Sequence, residues 1–332
     1  MSSPEQPREK RLRLGKASGA EPSNAKYDTA DDPTTSTHGS VTSMQEHKFR
    51  TRLEHEPLDE TKSEIRLLRI KSSEDEQSPI RCTLEHASCN ESWPAYTALS
   101  YCWGGANSPI TITVNGCAVP VTRNLEAALS ELRNRNIDLL WVDALCINQD
   151  DVDERGHQVF RMKDIYCKAV RTIAWLGPDD CGYAVMAFEC LRILETKEPR
   201  AEYDEIKADV KRRPHDKSKK SDRAIAARRM IGLPYWKRTW IIQEVILSAN
   251  LIFMWGKSTM GSDTFKYGLQ AYAMHRSRNK YFDGWDQVKG LMRIMHKSNN
   301  GDKNGSMMGL QRALNLTSLS QAMDPRDKVR NF

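Results

Sequence analysis

The sequence lacks the short motifs by which several large enzyme classes are recognised. It contains no phosphate-binding GxxxxGK[ST] loop, no HExxH zinc motif and no GxSxG nucleophile motif. Its eight cysteines include no CxxC pair, so the common spacings of zinc sites and redox dithiols are missing as well. We therefore expect no metal site, and we expect free thiols in a reducing compartment.

Long apolar segments are also missing. The most apolar window, 240–255, is interrupted by Gln243, Glu244 and Asn250 and is too short to cross a bilayer. The first sixteen residues are charged and have no apolar stretch of the kind found in secretory signals. These features predict no membrane association and a cytoplasmic location.

Large apolar residues are scarce in the first 47 positions, which are rich in Ser, Thr, Pro, Asp and Lys. Such a segment cannot bury enough surface to offset its ordering entropy, so residues 1–47 are predicted to be a disordered tail. The basic cluster at 8–16 has two interpretations. It is either solvated tail or a nuclear-import signal, which would add the nucleus as a second location.

The net charge of +6 in 332 residues is mildly basic, and an excess of charge indicates a nucleic-acid partner only where it is clustered. The densest basic cluster lies in a charged segment, about 197–222, which contains two prolines and is predicted to be a mobile insertion. Stacking on bases needs aromatic residues among the charges, and Tyr203 is the only one nearby. A nucleic-acid partner is therefore not expected.

The stretch 136–178 organises the predicted fold. An apolar run at 139–142 is followed by Asp143, a polar turn, a helical segment at 151–168 and a second apolar run. Short apolar runs on either side of a helical pattern are the signature of a βαβ unit in a parallel sheet. We expect this unit to lie at the centre of the domain.

Around this unit the pattern predicts an α/β fold: a mainly parallel sheet with helices on both faces, antiparallel hairpin additions and a mostly helical C-terminal extension. The parallel strands are expected at 97–102, 139–143, 171–176 and 251–255. The antiparallel pairs are expected at 64–70 with 79–84 and at 110–114 with 117–121. The second pair flanks Asn115-Gly116, a strong hairpin signal, and Pro120 marks its second arm as an edge strand.

A series of motifs begins at the predicted strand 97–102. The motifs are YTALSYCWG at 96–104, NL at 124–125, LWVDALCINQ at 140–149, ER at 154–155 with Gln158, Met162 and Ile165-Tyr166, WLG at 175–177, and the segment 236–244. In this order they resemble the fungal heterokaryon incompatibility (HET) domain family. The resemblance covers about 58–256, with core motifs at 96–245, and leaves 257–332 as a helical extension.

This resemblance implies intracellular non-self recognition, in which incompatible alleles meet after cell fusion and the domain triggers programmed death of the mixed cell. The expected partners are a second copy of the domain, through self-association, or another incompatibility protein. The end of the chain departs from the family's usual form. Residues 322–329 resemble a segment that leads into further helical domain in longer relatives, so the extension is expected to be truncated.

At the level of fold, HET domains look like distant relatives of the Toll/interleukin-receptor (TIR) domain. Some TIR domains cleave NAD with a glutamate that lies in a tryptophan-containing helix, and the position that matches this motif here is Glu244. The TIR-like resemblance thus implies an alternative function, a NAD-cleaving hydrolase whose activity causes the death. NAD would be its substrate, and no further cofactor is expected.

Candidate ligand-binding residues lie past the carboxyl ends of predicted strands, where open α/β sheets bind ligands. They are Trp103, Gly104, Asp143, Asn148 and Gln149. Cleavage of the nicotinamide–ribose bond passes through an oxocarbenium-like state that a nearby carboxylate stabilises, so Glu244 is the catalytic candidate and Asp143 the second acid. Structural interpretations remain open for both: Glu244 pairs with Arg238, and Asp143 caps the turn that follows it.

Cysteine catalysis is a further alternative, with Cys146 as nucleophile and His157 as base. The two residues are separated by a turn, and no third group is evident that would orient the histidine. His157 is also expected on the exposed face of its helix. The sequence therefore does not favour this chemistry.

Overall fold

The computed structural model describes residues 53–90, 92–103, 108–198, 200–211, 222–238 and 241–275, with Val288 and Gly290, the side chains of residues 242 and 243 excepted. All of them lie in the unit from Lys48 to Phe332. The predicted disordered tail at 1–47 and most of the predicted helical extension lie outside these residues, and those expectations stay predictions.

Nine strands form one mixed sheet within the described residues. They are β1 (Ile65–Ile70), β2 (Arg81–Ala87), β3 (Thr97–Tyr101), β4 (Ile110–Val114), β5 (Cys117–Val121), β6 (Leu139–Trp141), β7 (Arg171–Gly177), β8 (Leu251–Trp255) and β9 (Ser258–Gly261). Their order across the sheet is β5-β4-β2-β1-β6-β3-β7-β8-β9. The predicted α/β fold with a parallel centre is confirmed, because β6, β3, β7 and β8 run parallel to one another.

Eight α-helices surround the sheet within the described residues. They are α1 (Arg123–Asn134), α2 (Asp143–Cys146), α3 (Val152–Lys168), α4 (Ala184–Thr196), α5 (Ala201–Lys211), α6 (Asp222–Ile231), α7 (Ile241–Ile246) and α8 (Ser262–His275). The central unit β6–α3–β7 has the predicted βαβ form, and β3 lies between its two strands. Asp151 caps α3 by accepting the backbone N–H groups of Asp153 and Glu154, each at 3.0 Å.

The core is divided by the sheet into two apolar clusters. Successive side chains of a strand point to opposite faces. Along β7, Ile173 and Trp175 belong to one cluster while Ala174 and Leu176 belong to the other. Helices α1 and α3 contribute to the first cluster, and α4, α5, α6 and α8 contribute to the second. Helices therefore cover both faces, as predicted.

The two predicted antiparallel pairs are both present. Strand β1 pairs with β2, and β4 pairs with β5 around Asn115 and Gly116. These two turn residues have φ values of 51° and 78°, the left-handed conformation that a tight hairpin turn requires. Pro120 lies on β5, which is an edge strand of the sheet. Proline has no backbone N–H to donate, and edge strands tolerate this loss.

Two elements differ from the sequence expectation. The segment 197–222 was expected to be a mobile insertion, yet it contains α5, which buries Ile206 and Val210 in the second cluster. Residues 212–221 of that segment lie outside the described residues. Strand β9 was not predicted either, and it pairs antiparallel with β8.

Candidate functional site

The candidate site lies where β3 and β6 end. Because these two strands are parallel, the residues that follow them meet at one edge of the sheet. Trp103 follows β3 and Asp143 follows β6, and the Trp103 indole N–H donates to Asp143 Oδ2 at 3.0 Å. Two of the predicted ligand-binding residues are thus in direct contact.

Asp143 has an unusual electrostatic environment. Burial raises the pKa of its carboxyl from 3.8 to about 6, while the positive charge of Arg238 and the hydrogen bond from Trp103 act in the opposite direction. The nearby Glu244 carboxylate adds to the upward shift. The side chain also accepts the N–H of the next residue, Ala144, at 2.8 Å, although α2 has no side-chain cap.

Glu244 is fully buried at the centre of a polar cluster. It lies on the short helix α7, and its carboxylate forms a bidentate ion pair with Arg238, at 2.6 Å and 2.8 Å. The hydroxyl of Ser100, in β3, donates to Glu244 Oε2 and lies 2.7 Å from the Tyr235 hydroxyl. The pairing with Arg238 that the sequence left open as a structural alternative is therefore present.

The cluster is held by strong, desolvated interactions. Burial disfavours the charged guanidinium, but the Glu244 carboxylate outweighs that effect and raises the pKa of Arg238 above its usual range. Burial likewise raises the pKa of the Tyr235 hydroxyl. Bidentate arginine–carboxylate pairs are among the strongest protein hydrogen bonds, so this cluster fixes the positions of β3 and α7 relative to each other.

A cavity of about 500 Å³ lies beside Trp103 and the polar turn after α2. Trp103, Asn148 and Gln149 line it, together with apolar side chains of β5, α1 and α2. The Gln149 side-chain amide donates to the Asp143 backbone carbonyl at 2.9 Å, which ties the polar turn to the end of β6. Neither Asp143 nor Glu244 is among the described residues that line this cavity.

The structure does not bring every predicted candidate to this edge. Gly104 lies outside the described residues, so its proposed role stays a prediction. Cys146 is buried, and burial raises the pKa of its thiol to about 12, which makes it a poor nucleophile. His157 is exposed and pairs with Glu60 at 2.7 Å.

Several residues of the site were not found by sequence reasoning. Ser100 and Tyr235 are part of the Glu244 cluster, but a serine within an apolar strand gives no sign of its partner about 140 positions away. Arg66, in β1, is a buried arginine that binds Glu154 through two hydrogen bonds, at 2.6 Å and 2.9 Å. In the sequence, this role is indicated only by the presence of a charged residue within the apolar run of β1.

Among the described residues, no group of three or more His, Cys, Asp and Glu side chains is placed to hold a metal ion. Within that same part of the chain, none of the helices combines the length and the apolar character needed to cross a bilayer.

Comparisons with known proteins agree with the predicted family. Residues 96–244 match the family model described as "Heterokaryon incompatibility protein (HET)", which spans the elements from β3 to α7. The chain is also 30% identical over 233 residues to "Heterokaryon incompatibility protein 6, OR allele" from Neurospora crassa, an alignment that covers 60% of this chain and 34% of that protein. The chain thus spans about a third of the length of this curated relative. No solved structure matches the chain, and the TIR-like resemblance stays a prediction. Residues 96–244 are therefore similar to the heterokaryon incompatibility (HET) family, as the order of the sequence motifs predicts.

Proposed function

We propose that this chain acts in fungal heterokaryon incompatibility, as an intracellular domain that senses non-self and triggers programmed cell death. The observation that carries the proposal is that the residues matched by the family model form the buried centre of the fold. The matched residues 96–244 contain three of the four parallel strands and the polar cluster around Glu244. The named relative supports the same function.

The geometry favours signalling through a rigid domain. The ion pair of Glu244 with Arg238 joins α7 to the segment before it, and the Ser100 hydroxyl joins both to β3. A domain fixed in this way presents constant surfaces to a partner, which association with a second copy or with another incompatibility protein requires.

The test is expression of the full chain from an inducible promoter in a filamentous fungus, with vital-dye staining as the readout. Cells that express wild-type chain are expected to die, and cells that express Trp141→Ala are expected to survive. Trp141 is fully buried in the first core cluster, so its replacement by alanine leaves a cavity that destabilises the fold. Lys71→Asp, at an exposed position, serves as the surface control and should kill. Survival of cells that contain soluble wild-type chain would contradict the proposal, and so would equal killing by Trp141→Ala.

A second candidate function is cleavage of NAD. The observation in its favour is that Asp143, which has Glu244 nearby, contacts Trp103 in the wall of the cavity. In the reaction the nicotinamide–ribose bond breaks, water adds to the ribose carbon and one proton is released. A carboxylate near that carbon stabilises the oxocarbenium-like state. Because Arg238 neutralises Glu244 in the described state, this function requires the bound dinucleotide to draw Arg238 away.

Nicotinamide release by the purified full chain tests this second candidate. Glu244→Gln is expected to abolish release while the chain stays folded by circular dichroism. Glu154→Gln is the matched control, because it also removes a carboxylate from an arginine pair, but on α3. Equal loss in both variants would mean that weakened folding explains the result, and no release by wild-type chain would exclude the NAD function.

A further inference from the structure

Helix α3 has two contrasting faces. The inner face buries Met162, Ile165 and Tyr166 against the sheet. The outer face is exposed along the whole length of the helix, and it carries Val152, Asp153, Gly156, His157, Phe160, Lys163, Asp164 and Cys167. We call these eight residues the outer face of α3.

Phe160 is the most exposed large apolar side chain of the described residues, at 87%. It lies at the middle of the outer face, with Gly156 one turn before it and Lys163 one turn after it. Val152, on the same face, is 57% exposed. A single exposed apolar residue needs no explanation, so the argument depends on what surrounds Phe160.

Gly156 is the second observation. Glycine inside a helix lowers helix stability relative to alanine, because it has more backbone freedom to lose. A Cβ atom built at Gly156 meets nothing within 4 Å, so the packing of the described residues does not require glycine there. A glycine does allow the backbone of a second helix, or a large side chain, to approach closely.

Charge is the third observation, and it selects the partner. Asp153 lies three residues before Gly156, and Lys163 lies three residues after Phe160. If two α3 helices pack antiparallel with Phe160 of each on Gly156 of the other, the same register brings Asp153 opposite Lys163 twice. The face is therefore complementary to itself, as a two-fold symmetric contact requires.

We propose that the outer face of α3 is a docking surface for a second copy of this chain. Phe160 packs in the gap at Gly156 of the other copy, and the Asp153–Lys163 pairs fix the antiparallel register. His157, which pairs with Glu60, and Asp164 lie at the margin of the contact. This inference deepens the proposed function and rests on it, because it names the surface by which the domain self-associates.

The contact is expected to be weak and dependent on concentration. One pair of helices of 17 residues buries less than the roughly 1,200–2,000 Å² of a stable interface. Weak association suits a signal that starts only when many copies are brought together. It also means that single substitutions should have large effects on the fraction of dimer.

Sedimentation velocity of the full chain over a range of concentrations tests the docking surface. Asp153→Lys alone and Lys163→Asp alone each place like charges opposite one another, and each is expected to weaken association about tenfold or more. An equimolar mixture of the two variants is expected to associate again, because each Asp153→Lys chain meets a Lys163→Asp chain with opposite charges. Wild-type chain that stays monomeric, or a mixture that stays as weak as the single variants, would overturn the proposal.

Two matched pairs of variants separate docking from folding. Gly156→Leu fills the gap and should abolish association while the melting temperature does not fall, since leucine favours the helix. Phe160→Ser should weaken association, whereas Met274→Ser, at a 74% exposed position on α8, should not. Association that is equally lost in the Met274→Ser chain would overturn the proposal. Because these measurements use purified protein, their failure leaves the death assay of the proposed function unaffected.

Discussion

At the scale of single residues, Asp143 and Glu244 are two neighbouring acids with different environments. Glu244 is neutralised by a bidentate arginine and serves to fix α7 on β3. The Asp143 side chain accepts the indole N–H of Trp103 and the N–H of Ala144, and burial raises the pKa of its carboxyl to about 6. Asp143 is therefore the acid of this cluster that we expect to change its charge near neutral pH.

This difference predicts a pH dependence of stability that Asp143→Asn removes. The pKa of Asp143 is higher in the folded chain than its ordinary value of 3.8, so the protonated form stabilises the fold. That contribution is fully present below about pH 4 and is lost as the pH rises through about 6. The free energy of unfolding of wild type relative to Asp143→Asn should therefore fall between pH 4 and pH 6. Urea unfolding at several pH values measures this difference in free energy. A difference that stays constant between pH 4 and pH 6 would contradict the raised pKa of Asp143.

The sequence could identify some of these residues but not their partners. Asp143 and Trp103 follow strands whose apolar pattern is clear, so their positions at the sheet edge were predictable. The Glu244–Arg238 pair was foreseeable as an alternative, because the two residues lie six positions apart. The contact of Ser100 with Glu244 was not, since it joins positions 144 apart in sequence, and only the three-dimensional path of the chain brings them together.

At the scale of elements, Arg66 fixes α3 to the sheet. Its guanidinium binds both carboxylate oxygens of Glu154 and the backbone carbonyls of Cys146 and Glu56. Burial opposes ionisation of Glu154, but Arg66 and the Asn148 N–H outweigh it and lower the pKa of that carboxyl. One buried side chain therefore joins β1, the end of α2 and the first turn of α3.

Replacing Arg66 should therefore lower the free energy of unfolding far more than replacing Arg69 on the same strand. Arg66→Met removes the positive charge paired with Glu154 and the donor of two backbone carbonyls, and breaking such a buried pair costs about 3–5 kcal/mol. Arg69→Met removes two pairs, with Glu85 and with Asp138, whose side chains are all at least 41% exposed, and such surface pairs contribute about 1 kcal/mol or less each. Denaturant unfolding measures both. Equal destabilisation by the two substitutions would show that Arg66 does not fix α3.

Helices α4 and α8 make a similarly close contact at Gly268. A Cβ atom at this position would lie 2.7 Å from Leu191 Cβ, so Gly268→Ala is expected to cost about 1–3 kcal/mol through overpacking. Gly156→Ala, at an exposed helix position, is the matched control and should stabilise the fold by about 1 kcal/mol. The melting temperature should therefore fall for Gly268→Ala and rise for Gly156→Ala. A shift in the same direction for both would contradict the packing of α8 on α4.

The elements that the sequence did not predict are those that depend most on their surroundings. Helix α5 has a weak pattern of its own, and it forms where α4, α6 and α8 offer an apolar surface to Ile206 and Val210. Strand β9 has four residues, and it forms because β8 leaves an unpaired edge after the turn at Gly256. By contrast, β7 and β8 are continuous apolar runs whose pattern predicted them directly.

For the whole chain, the composition of residues 1–47 predicts that they contribute little to the apolar core. Removal of residues 1–45 is therefore expected to change the melting temperature by no more than a few degrees, because that segment has few apolar residues to pack. Differential scanning calorimetry of the full and shortened chains measures it. A larger fall in melting temperature would show that the segment packs on the domain.

Co-expression of the two charge variants tests whether the proposed death signal depends on association of the domain with a second copy of itself. Asp153→Lys and Lys163→Asp are expressed in a filamentous fungus separately and then together, and the surviving fraction of cells is counted. If association is required, cells survive either variant alone at wild-type protein levels and die when both are present. Killing by each variant alone, equal to that of wild type, would contradict it.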